Sequence, residues 1–433
     1  MSHHPRCGGR LRASVLGAAL AACLLAPPAL AQSDGTPLGA DLASLLDYAR
    51  RHNPALASAQ GDAEAAAQRI GPAGALPDPV LRVELENFSN TGNPRSASLL
   101  PGRVGETKYT LMQQLPAWGK RDLRRDVATA DARQVLAQAA GTWAEQAMQL
   151  RTAFAQYFLA ARTERITSEL LDLVARLEQV AQSRYAGGLV PQADAIRAQL
   201  EQTALRSELI ALAGEKRRLA ARINALLGRE ATAALAEPRE LPALPASERL
   251  RLAELLRRAR ATNPTLQAEA ARIESARAGS ELVRRNRYPD FNVGLSPTQM
   301  GSRVSSWSLM LEMNIPLQQG TRRAQEAEAA AMLQAARDRA RAAADQAAAG
   351  LEEQLAGLQA ARRTEELLRQ QLLPQSELVL QSALGGYENG RSDFTTLLQA
   401  QRDIRKARLD LLKARVEAQA RLAEIERTLG EPL

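Results

Sequence analysis

The sequence predicts a mainly α-helical protein that also carries two β-hairpins of membrane-crossing length. Only 3% of its 433 residues are aromatic, and its richness in Ala, Leu, Arg, Gln and Glu is typical of long helices. Proline is absent from 120–186, where apolar residues recur at helical spacing. Elsewhere, four short segments alternate apolar and polar side chains, as strands with one apolar face do.

The first 31 residues are interpreted as a signal peptide. A basic segment ending at Arg12 precedes an apolar stretch, and the sequence ALA at 29–31 fits a signal-peptidase site. An alternative is open, because LAAC at 20–23 resembles a lipobox, and cleavage there would leave Cys23 to be acylated. Both readings predict an exported protein.

Composition argues against several functional classes. Both cysteines lie in the predicted leader, and His52 is the one histidine that follows it, so we expect no Cys or His metal site. No segment resembles a nucleophile with its base or a phosphate loop, so we expect no enzyme activity and no cofactor. The net charge of +8 includes three arginines of the predicted leader, and the remaining excess of +5 is spread over mixed-sign helices, which favours solvated helix faces over a nucleic-acid surface.

The chain contains two copies of one plan. LLDYARRHNPALASAQ at 45–60 matches LLRRARATNPTLQAEA at 255–270, and the pair Leu227-Gly228 recurs as Leu429-Gly430. Each copy reads as a helix, a hairpin of strands, a long helix and another helix.

These matches set the domain boundaries. Repeat 1 is predicted at 41–228 with its hairpin at about 79–116. Repeat 2 is predicted at 251–430 with its hairpin at about 289–316. A proline-rich linker at 229–250 joins them.

In repeat 1 the first helix is predicted from about Asp41 to Ile70, where the Gly- and Pro-rich segment GPAGALPDP ends it. The first strand follows in PVLRVELENF at 79–88. Its apolar residues are Leu81, Val83 and Leu85, and its charged residues are Arg82, Glu84 and Glu86. The second strand, at 108–116, alternates likewise, although Gln113 interrupts its apolar face. Repeat 2 has the same pattern at 291–295 and 307–315.

Strands of about 10 residues suit an outer-membrane barrel, where lipid-facing and lumen-facing side chains alternate. We therefore expect the apolar side of the first strand to face lipid, and Arg82, Glu84 and Glu86 to face water in a lumen. A soluble sheet with one wet face is the alternative. Four strands cannot close a barrel, so the membrane reading requires oligomerisation.

The long helices predict a rod-like extension. A helix over 120–186 would be about 100 Å long. The equivalent helix of repeat 2, at 320–384, contains Pro374 and is expected to kink there. The other two helices of each copy are about half as long, so each copy can build two parallel rods. The alternative is a solitary coiled-coil stalk.

The repeated plan, with RYAGGLVPQADAIRAQL and GYENGRSDFTTLLQAQ at equivalent places in the two copies, resembles the TolC-type outer-membrane efflux factors. The resemblance implies that three chains pool their hairpins into a 12-stranded barrel. It also implies that their helices form a periplasmic α-helical barrel that docks on an adaptor, or membrane fusion protein, and an inner-membrane RND pump. The expected location is the outer membrane, in contact with its lipid and extending into the periplasm.

Three segments look most like the heavy-metal branch of that family, which serves cobalt-zinc-cadmium and copper-silver pumps. They are VELENFSNTGN, QQLPAWGKRDLRR and NIPLQQGTRRAQEAEA. The resemblance implies a passive exit duct for heavy-metal cations. The alternatives are a duct for drugs or other small molecules, and a periplasmic coiled-coil adaptor.

The resemblance also suggests site residues at the two turns farthest from the hairpins. Tyr387, Arg391 and Asp393 are expected to form part of a periplasmic gate. The expected adaptor contacts are Gly187, Gly188, Val190, Asp194, Gly390 and Ser392. Helix capping is the alternative role of Asp194 and Asp393, because both lie near helix starts.

Overall fold

The computed structural model describes residues 38–89, 91–92 and 96–433, so the predicted leader and Cys23 lie outside the described residues. In the first half the elements are α1 (Leu42–His52), α2 (Pro54–Gln68), α3 (Ile70–Ala73), β1 (Val80–Glu86), β2 (Glu106–Leu115), α4 (Lys120–Ala186) and α5 (Gln192–Leu226). In the second half, after a 3-10 turn at Ser247–Leu250, they are α6 (Leu252–Thr262), α7 (Pro264–Arg285), β3 (Phe291–Met300), β4 (Arg303–Met313), α8 (Gln319–Leu367), α9 (Leu373–Glu388) and α10 (Phe394–Leu429).

The single first helix predicted from Asp41 to Ile70 is wrong, because the chain leaves the helical conformation at Asn53. Asn53 has φ −70° and ψ 119°, as expected for a residue before proline, whose ring disfavours the α region. The Asn53 side chain caps α2 by accepting a hydrogen bond of 3.1 Å from the Leu56 amide. Its amide group donates to the Leu226 carbonyl at 2.7 Å, so Asn53 also connects the start of α2 to the end of α5.

The second half has the same break at Asn263. Its side chain accepts from the Leu266 amide at 2.8 Å and donates to the Thr428 carbonyl at 2.6 Å. Gly228 and Gly430 follow the two helix ends with φ of +69° and +77°. A Cβ on Gly430 would lie 2.8 Å from the Thr262 carbonyl oxygen, so the close approach requires glycine.

The strands form one antiparallel sheet in the order β1-β2-β3-β4. Pairing of β2 with β3 joins the hairpins of the two halves, with Leu111 opposite Leu295. Within the described residues, β1 and β4 each have one neighbouring strand, so the sheet has two open edges.

The long helices differ between the halves. As predicted, α4 runs without interruption from Lys120 to Ala186. Its counterpart is interrupted between α8 and α9 by a π-helical turn at Leu368–Leu372. The cause is Pro374, which has no N–H for the carbonyl four residues earlier and whose ring crowds that carbonyl.

Four apolar cores hold the described helices together, and the smallest packs α4 against α10 around Phe158. Of the other three, one packs α1, α4 and α5 around Phe154, and another packs α6, α8 and α10 around Leu358. The third, which we call the tip core, joins α4, α5, α9 and α10. It includes Leu170, Val174, Leu177, Leu205, Tyr387, Phe394 and Leu397. None of the described helices is both long enough and apolar enough to cross a bilayer.

Candidate functional site

One face of the sheet is apolar across all four strands. The register aligns Leu81 with Leu111, Leu111 with Leu295, and Leu295 with Leu309. These four residues, which we call the leucine ladder, are between 49% and 77% exposed in the single chain. Such a broad exposed apolar surface indicates contact with lipid or with another protein.

The opposite face is polar. Arg82 lies opposite Thr110, Glu84 opposite Lys108, and Glu86 opposite Glu106. The Arg82 guanidinium is 3.8 Å from the Glu84 carboxylate. Farther across the sheet, the hydroxyls of Thr110 and Ser296 share a hydrogen bond of 2.8 Å. This face is suited to contact with water.

Gln113, the polar residue on the apolar side, has a hydrogen-bond partner in the segment before β1. The Gln113 side chain donates to the Pro77 carbonyl at 2.8 Å, so its amide fastens the start of the hairpin. The sequence shows that Gln113 interrupts the apolar face, but it does not indicate that Pro77 is the hydrogen-bond partner.

A buried ion pair ties the sheet to the long helix. The Lys120 ammonium donates to the Asp290 carboxylate at 2.8 Å and to the Tyr288 carbonyl at 2.9 Å. The Ala117 amide also donates to Asp290, at 2.8 Å. Burial alone would raise the pKa of Asp290, but these hydrogen bonds outweigh it and lower the pKa. The pair joins the two halves, and sequence reasoning missed it because neither residue has a local partner.

At the opposite end of the helices, two turns carry the predicted adaptor contacts. Gly188 and Gly390 have φ of +70° and +69°, so both reversals use the left-handed conformation that glycine permits. Gly187, Gly188 and Gly390 are exposed, whereas Val190 and Ser392 are half-buried.

Asp194 does not cap α5. The N-cap position is Pro191, and no side chain caps the helix. Asp194 lies in the first turn and is buried, with a carboxylate oxygen 3.7 Å from the Arg197 guanidinium. Its contribution to the helix is therefore a favourable charge near the N-terminus.

Tyr387, expected to form part of the gate, does not line an open surface of the single chain. Its side chain is buried in the tip core, where its ring centroid lies 5.6 Å from that of Phe394. The Arg184 guanidinium lies 5.1 Å from the ring centroid and donates to the Tyr387 carbonyl at 2.7 Å. Burial raises the pKa of the Tyr387 phenol. Tyr387 is buried because α4 and α5 pack against α9 and α10 at this point.

Asp393 and Arg391 are both exposed. The Asp393 carboxylate caps α10 by accepting hydrogen bonds from the Thr396 hydroxyl at 2.5 Å and the Thr396 amide at 2.8 Å. These two donors lower the pKa of Asp393. Capping is thus observed for Asp393, and any gating role would be additional to it.

One helical hairpin consists of α4 and α5, and the other of α9 and α10. Sequence reasoning also missed the polar contacts that join these two helical hairpins. The Arg184 contact is one, and the Arg197 guanidinium donates to the Thr395 hydroxyl at 2.7 Å. Arg402 pairs with Glu201 and Arg405 with Glu208. Each contact spans about 200 residues, so the local sequence contains no signal for it.

Across 38–89, 91–92 and 96–433, no cluster of three or more His, Cys, Asp or Glu side chains could hold a metal ion.

Comparison with known proteins gives these features a context. Residues 255–431 match the outer membrane efflux protein family. The chain is 24% identical over 392 residues to the cobalt-zinc-cadmium resistance protein CzcC of Cupriavidus metallidurans, which covers 90% of each chain.

Solved structures share the fold over most of the chain. A membrane protein from Pseudomonas aeruginosa superimposes with a TM-score of 0.76 at 20% identity, over 92% of this chain and 91% of that one. The outer membrane protein VceC from Vibrio cholerae superimposes with a TM-score of 0.75 at 18% identity, over 90% and 96% of the two chains. The second half of the chain therefore matches the outer membrane efflux protein family, and the chain as a whole shares the fold of these solved outer-membrane proteins.

Proposed function

We propose that three copies of this chain close a 12-stranded barrel in the outer membrane and form the exit duct of a tripartite RND-type efflux system. The observation that carries the proposal is the leucine ladder, which crosses a four-stranded sheet with two open edges. The apolar face would contact lipid, and the face with Arg82, Glu84 and Glu86 would line a water-filled lumen.

The open edges supply the reason for oligomerisation. Backbone groups at a strand edge need partners within hydrocarbon, where water is absent. Pairing β4 of one copy with β1 of the next would satisfy both edges and close the sheet. Three copies are inferred from the TolC-type resemblance, and the long helices would then enclose a tube below the barrel.

The exposed turns at the helix tips are the proposed docking surface for a periplasmic adaptor and an inner-membrane pump. This surface comprises Gly187, Gly188, Val190, Asp194, Gly390 and Ser392, of which Asp194 would act from a buried position. Because the helices extend about 100 Å from the sheet, these turns would be the part of the chain most accessible to a partner in the periplasm.

The gate is proposed to use the second turn. Arg391 and Asp393 are exposed there, and three copies brought together on an axis would bring these charges close. Tyr387 would contribute indirectly, because its packing and its bond with Arg184 hold the second helical hairpin against the first.

We propose heavy-metal cations as the cargo, because the chain is similar over 90% of its length to a protein named for cobalt, zinc and cadmium resistance. A passive duct needs no metal ligands of its own, since a hydrated polar lumen suffices. A drug or another small organic molecule is the second candidate.

The cargo can be tested by deleting the gene in its natural host and restoring either the wild-type gene or a variant that does not assemble. We expect the wild-type gene to restore growth in Co²⁺, Zn²⁺ or Cd²⁺ and to leave drug tolerance unchanged. Restoration of drug tolerance alone would support the second candidate. Restoration of neither, with a correctly assembled channel, would contradict the efflux role.

A further inference from the structure

An apolar groove lies at the foot of the sheet. Its volume is ≈ 540 Å³, and strand residues Leu115, Phe291, Val293 and Leu311 form one wall. Leu76 and Trp118 also line it. The strand residues belong to the apolar face, because Leu115 pairs with Phe291 and Val293 pairs with Leu311. The groove is therefore continuous with the surface assigned to lipid.

Two aromatic residues indicate where the groove lies relative to the membrane surface. Trp118, which lines it, is 87% exposed, and Tyr288 is exposed just before β3. Exposed Trp and Tyr at strand ends are typical of the boundary between hydrocarbon and water. Because the long helices begin here and extend into the periplasm, this boundary belongs to the periplasmic leaflet. Leu115 and Phe291 lie on the two inner strands, away from the edges that would contact other copies.

Guanidinium groups surround the mouth of the groove. Arg121 lines it and uses Nε to donate to the Gly74 carbonyl at 2.9 Å. Its two terminal nitrogens have no acceptor among the described residues. Arg285 donates to the Trp118 carbonyl at 3.1 Å and packs against Gly119, another residue of the groove.

One acidic residue also lines the groove. Asp122 is 3.8 Å from Arg125, so this carboxylate has a basic partner of its own. The charge left at the mouth is therefore positive, and it comes from Arg121 and Arg285.

We propose that this groove is a binding site for an anionic phospholipid of the periplasmic leaflet. One acyl chain would lie against Phe291, Val293 and Leu311, where its burial removes apolar surface from water. The phosphate would accept hydrogen bonds from Arg121 and Arg285, since a guanidinium fork matches phosphate geometry. A zwitterionic lipid fits less well, because its ammonium group would lie beside the same arginines.

The test is native mass spectrometry of the full-length protein in nanodiscs with equal amounts of phosphatidylglycerol and phosphatidylethanolamine of identical acyl chains. We expect the wild-type protein to retain phosphatidylglycerol preferentially, by roughly fivefold for each arginine. The double variant Arg121→Gln/Arg285→Gln should lose this preference. Arg339→Gln removes an exposed arginine about 30 Å along α8, so this control should keep it.

The wild-type measurement alone can overturn the proposal, so the outcome does not depend on the folding of the variants. Equal retention of the two lipids by the wild-type protein would contradict an anionic site. An undiminished preference in an assembled double variant would place the site elsewhere. Val293→Trp, which fills the groove, should lower retention of phosphatidylglycerol, and unchanged retention would exclude the acyl-chain position.

Discussion

The two halves of the chain share their contacts in the middle part of the long helices and differ at the helix tips. Both halves break the first helix before a proline, with Asn53 and Asn263 making equivalent bonds. In contrast, α4 is continuous and its counterpart is interrupted at Leu368–Leu372. The irregularity lies in the helix that leads to Arg391 and Asp393, so the repeated plan departs from symmetry on the path to the proposed gate.

The helix starts at the two tips also differ. A side chain caps α10, through Asp393, whereas α5 begins after Pro191 with no side-chain cap. The middle part of the helices is therefore held by duplicated contacts, and the tips by contacts particular to each half. Substitutions at equivalent positions should then have similar effects in the hairpins and in this middle part, and unequal effects at the tips.

The largest expected effect comes from placing charge on the apolar face of either hairpin. Val83→Arg in the first half and Leu309→Arg in the second should both prevent assembly. A charged side chain facing lipid near the bilayer midplane costs about 2 to 4 kcal/mol. The yield of assembled oligomer after extraction from the outer membrane measures the effect.

Matched controls lie one residue away on the polar face. Glu84→Arg and Ser308→Arg add the same side chain where we expect water, so assembly should be nearly normal. Equal yields for Val83→Arg and Glu84→Arg would reverse or abolish the assignment of the two faces. Failure of only one apolar-face variant would show that the hairpins are not equivalent.

The next largest effect is expected from substitution of the glycines that follow α5 and α10. Gly228→Ala and Gly430→Ala force a side chain into φ near +70°, which costs about 1 to 3 kcal/mol. Gly430→Ala should lower the melting temperature slightly more than Gly228→Ala. Its Cβ would lie 2.6 Å from Pro264 Cδ, whereas the nearest atoms to a Cβ on Gly228 are at 2.9 Å. Thermal unfolding in detergent measures both.

The control for the glycine pair is Gly214→Ala, in the middle of α5 with no atom near the added Cβ. A helical Gly→Ala change with room for the methyl group should stabilise the protein by about 0.5 to 1 kcal/mol. If all three variants melt at the wild-type temperature, the close approach at the two helix ends does not contribute to the stability of the protein.

Sequence patterns predicted the elements well where the signal is local. A long proline-free stretch predicted the bounds of α4, and alternation of side chains predicted the strands. The break at Asn53 was missed although Pro54 marks it, because the segment was read for its similarity to 255–270 and not for the restriction that proline imposes. The contacts of Tyr387 and Lys120 could not be predicted, since their partners lie far away in the chain.

A smaller effect is expected from the two asparagines. Asn53→Ala and Asn263→Ala each remove a helix cap, at a cost of about 1 kcal/mol. They also leave a helix-end carbonyl without its donor. The two melting temperatures should fall by similar amounts. Asn→Ser at the same positions keeps a capping oxygen and loses the amide donor, so it separates the two contributions, and a larger loss from Ser than from Ala would contradict this account.

The smallest effect on stability is expected at Asp393, where the change distinguishes capping from gating. Asp393→Asn keeps a capping oxygen without the charge, and Asp393→Ala removes both. If the charge helps to close the tube, both variants should raise single-channel conductance in planar bilayers with unchanged oligomer yield. Raised conductance in the alanine variant alone would assign the effect to the cap, and unaltered conductance in both would remove Asp393 from the gate.

The pH dependence of Asp393 has a defined direction. Because its pKa is lowered in the folded chain, the capping contribution is present above the unfolded-state pKa and is lost as the pH falls through the folded-state pKa. The wild-type protein should therefore approach the alanine variant only under acid conditions, below the ordinary aspartate pKa of about 3.9. Protease sensitivity of the tip at different pH values checks this direction.

The most direct test of the whole account is the mass of the solubilised protein. A four-stranded sheet with two open edges requires other copies to close it. Native mass spectrometry or sedimentation with matched detergent density should therefore give three chains per particle, stable under mild conditions. A stable monomer that still forms channels would contradict the barrel, because the four strands of the described residues are too few to enclose a pore.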